Sequence, residues 1–324
     1  MELRALGPSS FRVSATGLGC NNLGRTGTAT ETTEGTAAVV TAALDAGITL
    51  FDTADVYGKE YGLSERLLGQ ALRGRRDEAI VATKFGHAGL APDLAGGAPK
   101  GSRAYIRAAV EGSLARLGID TIDLYQLHTP DARTPIAETL AALDELVQEG
   151  LVREIGCSNV SAAQLEEAAA ASEHSGGSRF VSVQNEYSLL VRGDETEALP
   201  ATERLGMGYL PYFPLSNGLF TGKFTRTQRP ADTRISRQRP QVADQAPWDA
   251  MEAYERFCAE RGITMLEATF GWFLSHPSLS SVIAGATKPE QVRANAAAGD
   301  AWRPDAAERA EIEALFPRGP ATAS

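Results

Sequence analysis

Phe51-Asp52-Thr53-Ala54-Asp55-Val56-Tyr57-Gly58 closes an apolar run, Ile48–Asp52, that stops abruptly in a carboxylate. Seven further runs share this character: Gly17–Cys20, Ala79–Lys84, Ile122–His128, Val152–Cys157, Phe180–Gln184, Met207–Tyr212 and Ser281–Ala284. They are short and continuously apolar rather than alternating, the pattern of parallel strands buried on both faces. Amphipathic segments separate them. Ile106, Val110, Leu114 and Leu117 share a helical face between a Ser102 N-cap and Gly118. Ile136, Leu140, Leu143 and Val147 repeat that spacing between Thr134-Pro135 and Gly150. At about 150 residues per domain, 324 residues suggest two domains. No long Pro/Gly/Ser linker divides the chain, however, and eight strand–helix alternations predict an α/β fold, a single (β/α)8 TIM barrel over residues 1–324. Met1–Val13 predicts a hairpin over the barrel bottom with its turn at Gly7-Pro8, and the proline-rich Lys223–Trp248 a long irregular loop. A dinucleotide-binding fold is the alternative at Gly17-Leu18-Gly19. It needs a third glycine where Asn22 stands, and the next helical pattern begins only near Glu34.

Composition narrows the class of protein. An apolar share of 43% and a charged share of 22% are those of a globular chain and exclude a disordered or collagen-like one. No apolar run reaches the roughly 18 residues of a membrane span, and Met1-Glu2-Leu3-Arg4 does not open a signal peptide. Cys20, Cys157 and Cys258 are odd in number and far apart, which points to a reducing cytoplasm rather than a disulfide framework or a Cys-x-x-Cys metal site. The net charge of −10 argues against nonspecific binding to nucleic acid or anionic lipid. Nothing in the sequence speaks for an oligomer.

Barrel chemistry sits at the C-terminal ends of strands. Those ends bring Asp52, Tyr57, Lys84 and His128 to one mouth. Taken singly, Asp52 is a cap, Tyr57 a wall aromatic, Lys84 a surface charge and His128 a core histidine; together they form an acid–base set. A phenol titrates near ~10, and a neighbouring cation lowers that value. Lys84 is expected to act so on Tyr57, with Asp52 holding the ammonium in place and His128 donating to a carbonyl oxygen. The four histidines, His87, His128, His174 and His276, show no metal-ligand spacing. A Schiff-base aldolase at Lys84 is a competing reading, but it needs a neutral amine beside Asp52.

These residues resemble the aldo-keto reductase family. Asp52-Thr53-Ala54-x-x-Tyr57-Gly58, Lys84, and His128 in Leu127-His128-Thr129-Pro130-Asp131 match that family's catalytic tetrad in order and spacing, and the similarity runs from Gly17 to about Asn295. The resemblance implies a (β/α)8 barrel with a nicotinamide cofactor across its mouth and carbonyl reduction of a small-molecule substrate, with Tyr57 as general acid. It also implies cofactor contacts. Ser158, Asn159 and Gln184 match the carboxamide positions and Tyr212 the stacking aromatic. Pro214, Leu215, Ser216, Gly218, Leu219 and Lys223 match the pyrophosphate segment, and Gly19, Cys20, Asn21 and Asp52 fall among the remaining contacts. Gly285, Thr287, Lys288, Gln291 and Asn295 match the adenosine-phosphate site, before a helix expected to start near Pro289. Lys223, Arg226, Arg229, Arg234, Arg237 and Arg239 face a single acid in that stretch, Asp232. This basic loop, with Lys288, favours NADPH over NADH. Asn21, where many relatives carry an apolar residue, bears on substrate preference. A second function in this family is regulatory, a cofactor-binding subunit that senses redox state with slow turnover.

Overall fold

The computed structural model describes residues 1–318. Ten strands are present: β1 (Leu3–Ala5), β2 (Arg12–Ser14), β3 (Thr16–Gly19), β4 (Leu50–Asp52), β5 (Ile80–Phe85), β6 (Ile122–Leu127), β7 (Val152–Ser158), β8 (Phe180–Gln184), β9 (Gly208–Tyr209) and β10 (Val282–Gly285). β1 and β2 pair antiparallel, with Gly7 at φ 54° between them, so the N-terminal hairpin forms as expected. The other eight are all parallel, in the order β10-β3-β4-β5-β6-β7-β8-β9. Closure between β9 and β10 is made by Tyr209 N donating to Ser278 O (2.9 Å), Ser280 N to Tyr209 O (3.0 Å) and Ile283 N to Pro211 O (3.3 Å). The result is the (β/α)8 barrel that the strand–helix alternation predicts.

The seventh barrel run is shorter than its sequence suggests. Met207–Tyr212 yields only Gly208–Tyr209 as strand, because Pro211 has no N–H to donate. The chain still follows β8, through Leu210 N to Val183 O (2.9 Å) and Tyr212 N to Asn185 O (3.0 Å), which carries Tyr212 to the mouth.

Two apolar clusters hold the molecule. The larger lies between the sheet and the surrounding helices. The smaller fills the barrel: Leu50, Ala82, Leu124, Val181, Leu210 and Ile283 pack there against Leu6 and Val13 of the hairpin, which plug the bottom. Side chains alternate along a strand, so on β4, β5 and β6 the residue two beyond the barrel-filling one points into the mouth. Leu50 is followed by Asp52, Ala82 by Lys84 and Leu124 by Gln126. A buried apolar base thus sets a polar layer at the C-terminal face.

The helices at Arg103–Leu117 and Ile136–Gln148 form where periodicity places them; Ser102 accepts from Tyr105 N, and Gly118 ends the first at φ 65°. The segment Lys223–Trp248 is not wholly irregular. It contains two short helices, Arg234–Gln238 and Pro240–Asp244, the first capped by the Thr233 side chain. Five residues each are too few for an apolar period to show.

Candidate active site

Asp52 is buried at the end of β4, and Lys84, fully buried on β5, donates from Nζ to Asp52 Oδ2 (2.7 Å) and to the Thr53 carbonyl (2.9 Å). The same Nζ lies 3.4 Å from the Tyr57 hydroxyl and 5.0 Å from its ring centroid. Asp52 Oδ1 accepts from Gln184 Nε2 (2.9 Å) and Gln126 Nε2 (3.3 Å). Gln126 is a member of this network that the sequence did not single out; its position two residues past Leu124 was the available signal. Burial opposes the charge on Lys84, but the Asp52 carboxylate overrides it and holds the amine above its ordinary pKa. A Schiff-base mechanism requires the neutral amine, which this environment disfavours.

The expected effect of Lys84 on Tyr57 does not win. Burial raises the phenol first, Lys84 pulls it down, Asp52 pushes it up again, and the net direction is above the ordinary value. Burial is the largest of these effects, and Asp52 offsets part of what Lys84 does. Tyr57 therefore stays protonated, its hydroxyl accepting a hydrogen bond from Lys84 Nζ.

His128 follows β6. Its ring lies 5.9 Å from Tyr57 at 84° and 4.6 Å from His87 at 90°. Burial, then Lys84, His87 and Lys100, lower its pKa to about 2, so the imidazole is neutral with one donor and one acceptor nitrogen. His87 is a wall residue that sequence analysis passed over as lacking metal-ligand spacing. Among the described residues no group of three or more His, Cys, Asp or Glu is placed to hold a metal ion.

A cavity of about 1100 Å³ opens over this set. Gly19, Asn21, Asp52, Ser158, Asn159, Gln184, Tyr212, Pro214, Leu215, Gly218, Lys223, Arg234, Gly285, Thr287, Lys288, Gln291 and Asn295 all line it. Three expected contacts do not. Cys20 turns into the core, its Sγ 3.6 Å from the Leu18 carbonyl, and burial holds its thiol well above the ordinary range. Leu219 is fully buried in the same core, and the Ser216 side chain is turned to Ser188 Oγ (3.1 Å). For these three, the resemblance identifies the backbone position and not the direction of the side chain.

One side of the cavity is a network of amides. Tyr212 OH donates to Asn159 Oδ1 (2.8 Å), Asn159 Nδ2 to the His128 carbonyl (2.9 Å) and Ser158 Oγ to the Gln184 carbonyl (2.6 Å). Backbone strain collects here too: Asn159 (φ 58°), Phe213 (φ 53°), Ser216 (φ 46°) and Asn217 (φ 62°) are left-handed non-glycine residues. Such conformations gather at ligand-holding segments. Gly218, at φ 105°, would meet no atom with a Cβ, so its backbone faces open space.

The basic loop divides in two. Arg226 turns to Asp249 and Glu252, Arg229 stacks on Trp248 at 4.6 Å, and Arg237 lines the cavity but is paired there with Asp232. Lys223, Arg234 and Arg239 line the cavity, as do Arg25 and Lys288, and among the described residues none of these five is ion-paired to a carboxylate. Arg234 and Arg239 lie over the Phe213 ring at 4.8 and 5.5 Å, and Arg234 Nε is buried without a partner. The helix Pro289–Ala301 begins at the cavity wall after Lys288, with no side chain capping its first amides. Free cations at the positive end of this helix make an anion-binding wall beside the Tyr57 layer.

A family model described as Aldo/keto reductase family matches residues 15–316. The chain is 37% identical over 306 residues to the uncharacterized oxidoreductase YrpG of Bacillus subtilis (strain 168), covering 90% of this chain and 89% of that protein. It is 34% identical over 273 residues to a probable voltage-gated potassium channel subunit beta of Oryza sativa subsp. japonica, covering 81% of each. Among solved structures it is similar to the holo form of aldo-keto reductase AKR11C1 from Bacillus halodurans, with a TM-score of 0.76, 30% identity and coverage of 98% of this chain and 97% of that one.

Proposed function

The chain belongs to the aldo/keto reductase family, and from that premise we propose that it reduces aldehyde or ketone carbonyls with NADPH, Tyr57 donating the proton. The observation that carries this reading is the chain of contacts Asp52–Lys84–Tyr57, with neutral His128 across the same mouth. A nicotinamide cofactor fits the residues present. The orphaned Arg234 Nε, the free Lys223 and Lys288 and the open backbone at Gly218 suit its phosphates, and the amides of Asn159 and Gln184 suit its carboxamide. Once bound, the reduced nicotinamide supplies the hydride.

The side chains divide the remaining work. Tyr57 gives its hydroxyl proton to the oxygen as that atom gains alkoxide character, which a phenol above its ordinary pKa supports at any physiological pH. Lys84 orients the hydroxyl and steadies the phenolate left behind. Asp52 keeps Lys84 charged, and a nitrogen of His128 hydrogen-bonds the same oxygen. Lys288 beside the helix start at Pro289 favours a 2′-phosphate, hence NADPH over NADH. The three cysteines are free and buried, consistent with the reducing cytoplasm assigned from their spacing; among the described residues no helix is long and apolar enough to cross a membrane.

The test is NADPH oxidation over a panel of aldehydes and ketones, with Tyr57→Phe as the comparison. The substitution keeps the ring and removes the proton, so kcat falls by about 10²–10⁴-fold while NADPH binding persists. Retained turnover in Tyr57→Phe rejects the donor assignment. The potassium-channel-subunit relative favours a second reading, a redox-sensing regulatory subunit; a single burst with cofactor retained, instead of steady turnover, would select it.

A further inference from the structure

Five unpaired cations around one cavity exceed what the cofactor wall accounts for. Lys223, Arg234 and Lys288 lie along the segment and helix assigned to the cofactor. Arg25 comes from another direction, the loop that follows β3. Its guanidinium reaches the Asn21 side chain and carbonyl on one side and Gln238 Oε1 (2.9 Å) on the other. It thereby joins that loop to the short helix Arg234–Gln238. Arg239, the next residue, leans over Phe213 at 5.5 Å. The two arginines feel each other's charge, and Arg25 also feels Tyr57. Glu186 interacts with Arg239 only from beyond ion-pair distance. Arg25 is half-buried and Arg239 exposed at the cavity rim; a half-buried guanidinium with a like charge beside it and no carboxylate partner is costly to hold, and a bound anion removes that cost.

Resting on the carbonyl-reductase reading above, we propose that the substrates carry an anionic group, a carboxylate or a phosphate, which docks between Arg25 and Arg239 while the carbonyl sits at Tyr57 and His128. Arg25 is the specificity-determining residue: Asn21 holds its Nη2, which leaves Nε–H and one Nη1–H to donate to the anion. The Asn21 departure from an apolar residue is explained in the same way, as the acceptor that orients Arg25.

Three para-substituted benzaldehydes of similar size test the assignment: 4-carboxybenzaldehyde, 4-formylphenyl phosphate and uncharged 4-methylbenzaldehyde. The quantity read is the ratio of kcat/KM for each anionic aldehyde to that for the uncharged one. The ratio exceeds ten in the native protein for at least one anion, and the larger of the two identifies carboxylate or phosphate. Arg25→Met lowers it about 30-fold, the effect of breaking a buried charge pair, mainly through KM, and Arg25→Lys recovers part of the loss. Calorimetric binding of terephthalate, which cannot be reduced, to the NADP-loaded protein gives a readout independent of turnover and is lost in Arg25→Met. A ratio near one overturns the proposal. So does a parallel loss of all three aldehydes with a matching rise in NADPH Kd, which would place Arg25 on the cofactor. If no carbonyl is reduced but terephthalate binds through Arg25, the reductase reading fails and the anion site stands.

Discussion

At the scale of single residues, two buried groups near the mouth titrate in opposite directions. His128 is held near pKa 2 by burial, against 6.5 in an unfolded chain. Its stabilising contribution is complete above pH 6.5 and is lost as pH falls, because only the unfolded chain takes up the proton. Asp55, two residues before Tyr57 and fully buried, is raised to about 7 by burial and then by Glu65. Its native form binds a proton that the unfolded form releases, so its contribution grows as pH falls from 7. By linkage each amounts to about 2 kcal/mol between pH 7 and pH 5, and the two nearly cancel. Urea unfolding at pH 7.0 and 5.0 separates them. Acidification stabilises His128→Gln by about 2 kcal/mol more than it does the native chain, and leaves Asp55→Asn about 2 kcal/mol behind it. Parallel pH dependences in all three proteins would show that neither group titrates as described. Lys84 is a poorer subject for such work: replacing it strands the buried Asp52 carboxylate at a cost of about 3–5 kcal/mol, which mixes folding with catalysis.

At the scale of elements, close approach can outweigh propensity. Gly69 sits inside the helix Leu63–Ala71, where Ala is intrinsically better by about 1 kcal/mol. A Cβ at that position would stand 2.0 Å from the Leu117 carbonyl oxygen at the end of the neighbouring helix. Backbone cannot yield as a side-chain tip does, so Gly69→Ala is expected to destabilise by about 1–3 kcal/mol net, seen as a lower Tm; a raised Tm would mean the helices part freely. Contacts of this kind mark the limit of what the sequence discloses. The eight strands and the Asp52, Lys84 and His128 positions were legible because apolar runs ending in a polar residue are local features, and the period of two then aims them at the mouth. Arg25, His87 and Gln126 were not, since each acquires meaning from neighbours 41 to 214 positions away. Cys20, Ser216 and Leu219 show the converse: their positions were identified, but the chain turns their side chains inward. The net effect on Tyr57 likewise depended on burial, which no spacing reveals.

At the scale of the whole molecule, the charge of −10 is distributed unevenly. Acids dominate the chain as a whole, while the cavity carries Arg25, Lys223, Arg234, Arg239 and Lys288 without ion-paired carboxylates among the described residues. An acidic body repels a polyanion at a distance; a basic cleft focuses attraction inside it. The competition between the two has a measurable form, since NADPH carries one more phosphate than NADH and the two have the same pyrophosphate. A ligand that binds only the native state raises stability by about 2.7 kcal/mol at a hundred times its Kd, so Tm shifts rank the two cofactors without assuming turnover. NADPH is expected to give the larger shift at low salt and to lose more of it by 0.5 M salt, where the screening length falls to a few ångströms. Lys288→Ala should reduce the NADPH shift toward that of NADH and leave the NADH shift nearly as it was, because the residue is assigned to the 2′-phosphate and not to the pyrophosphate. Equal reductions for both cofactors would move Lys288 to the shared part of the site. An unchanged NADPH shift would transfer the discrimination to the positive end of the Pro289–Ala301 helix dipole, which favours an anion without a side-chain charge.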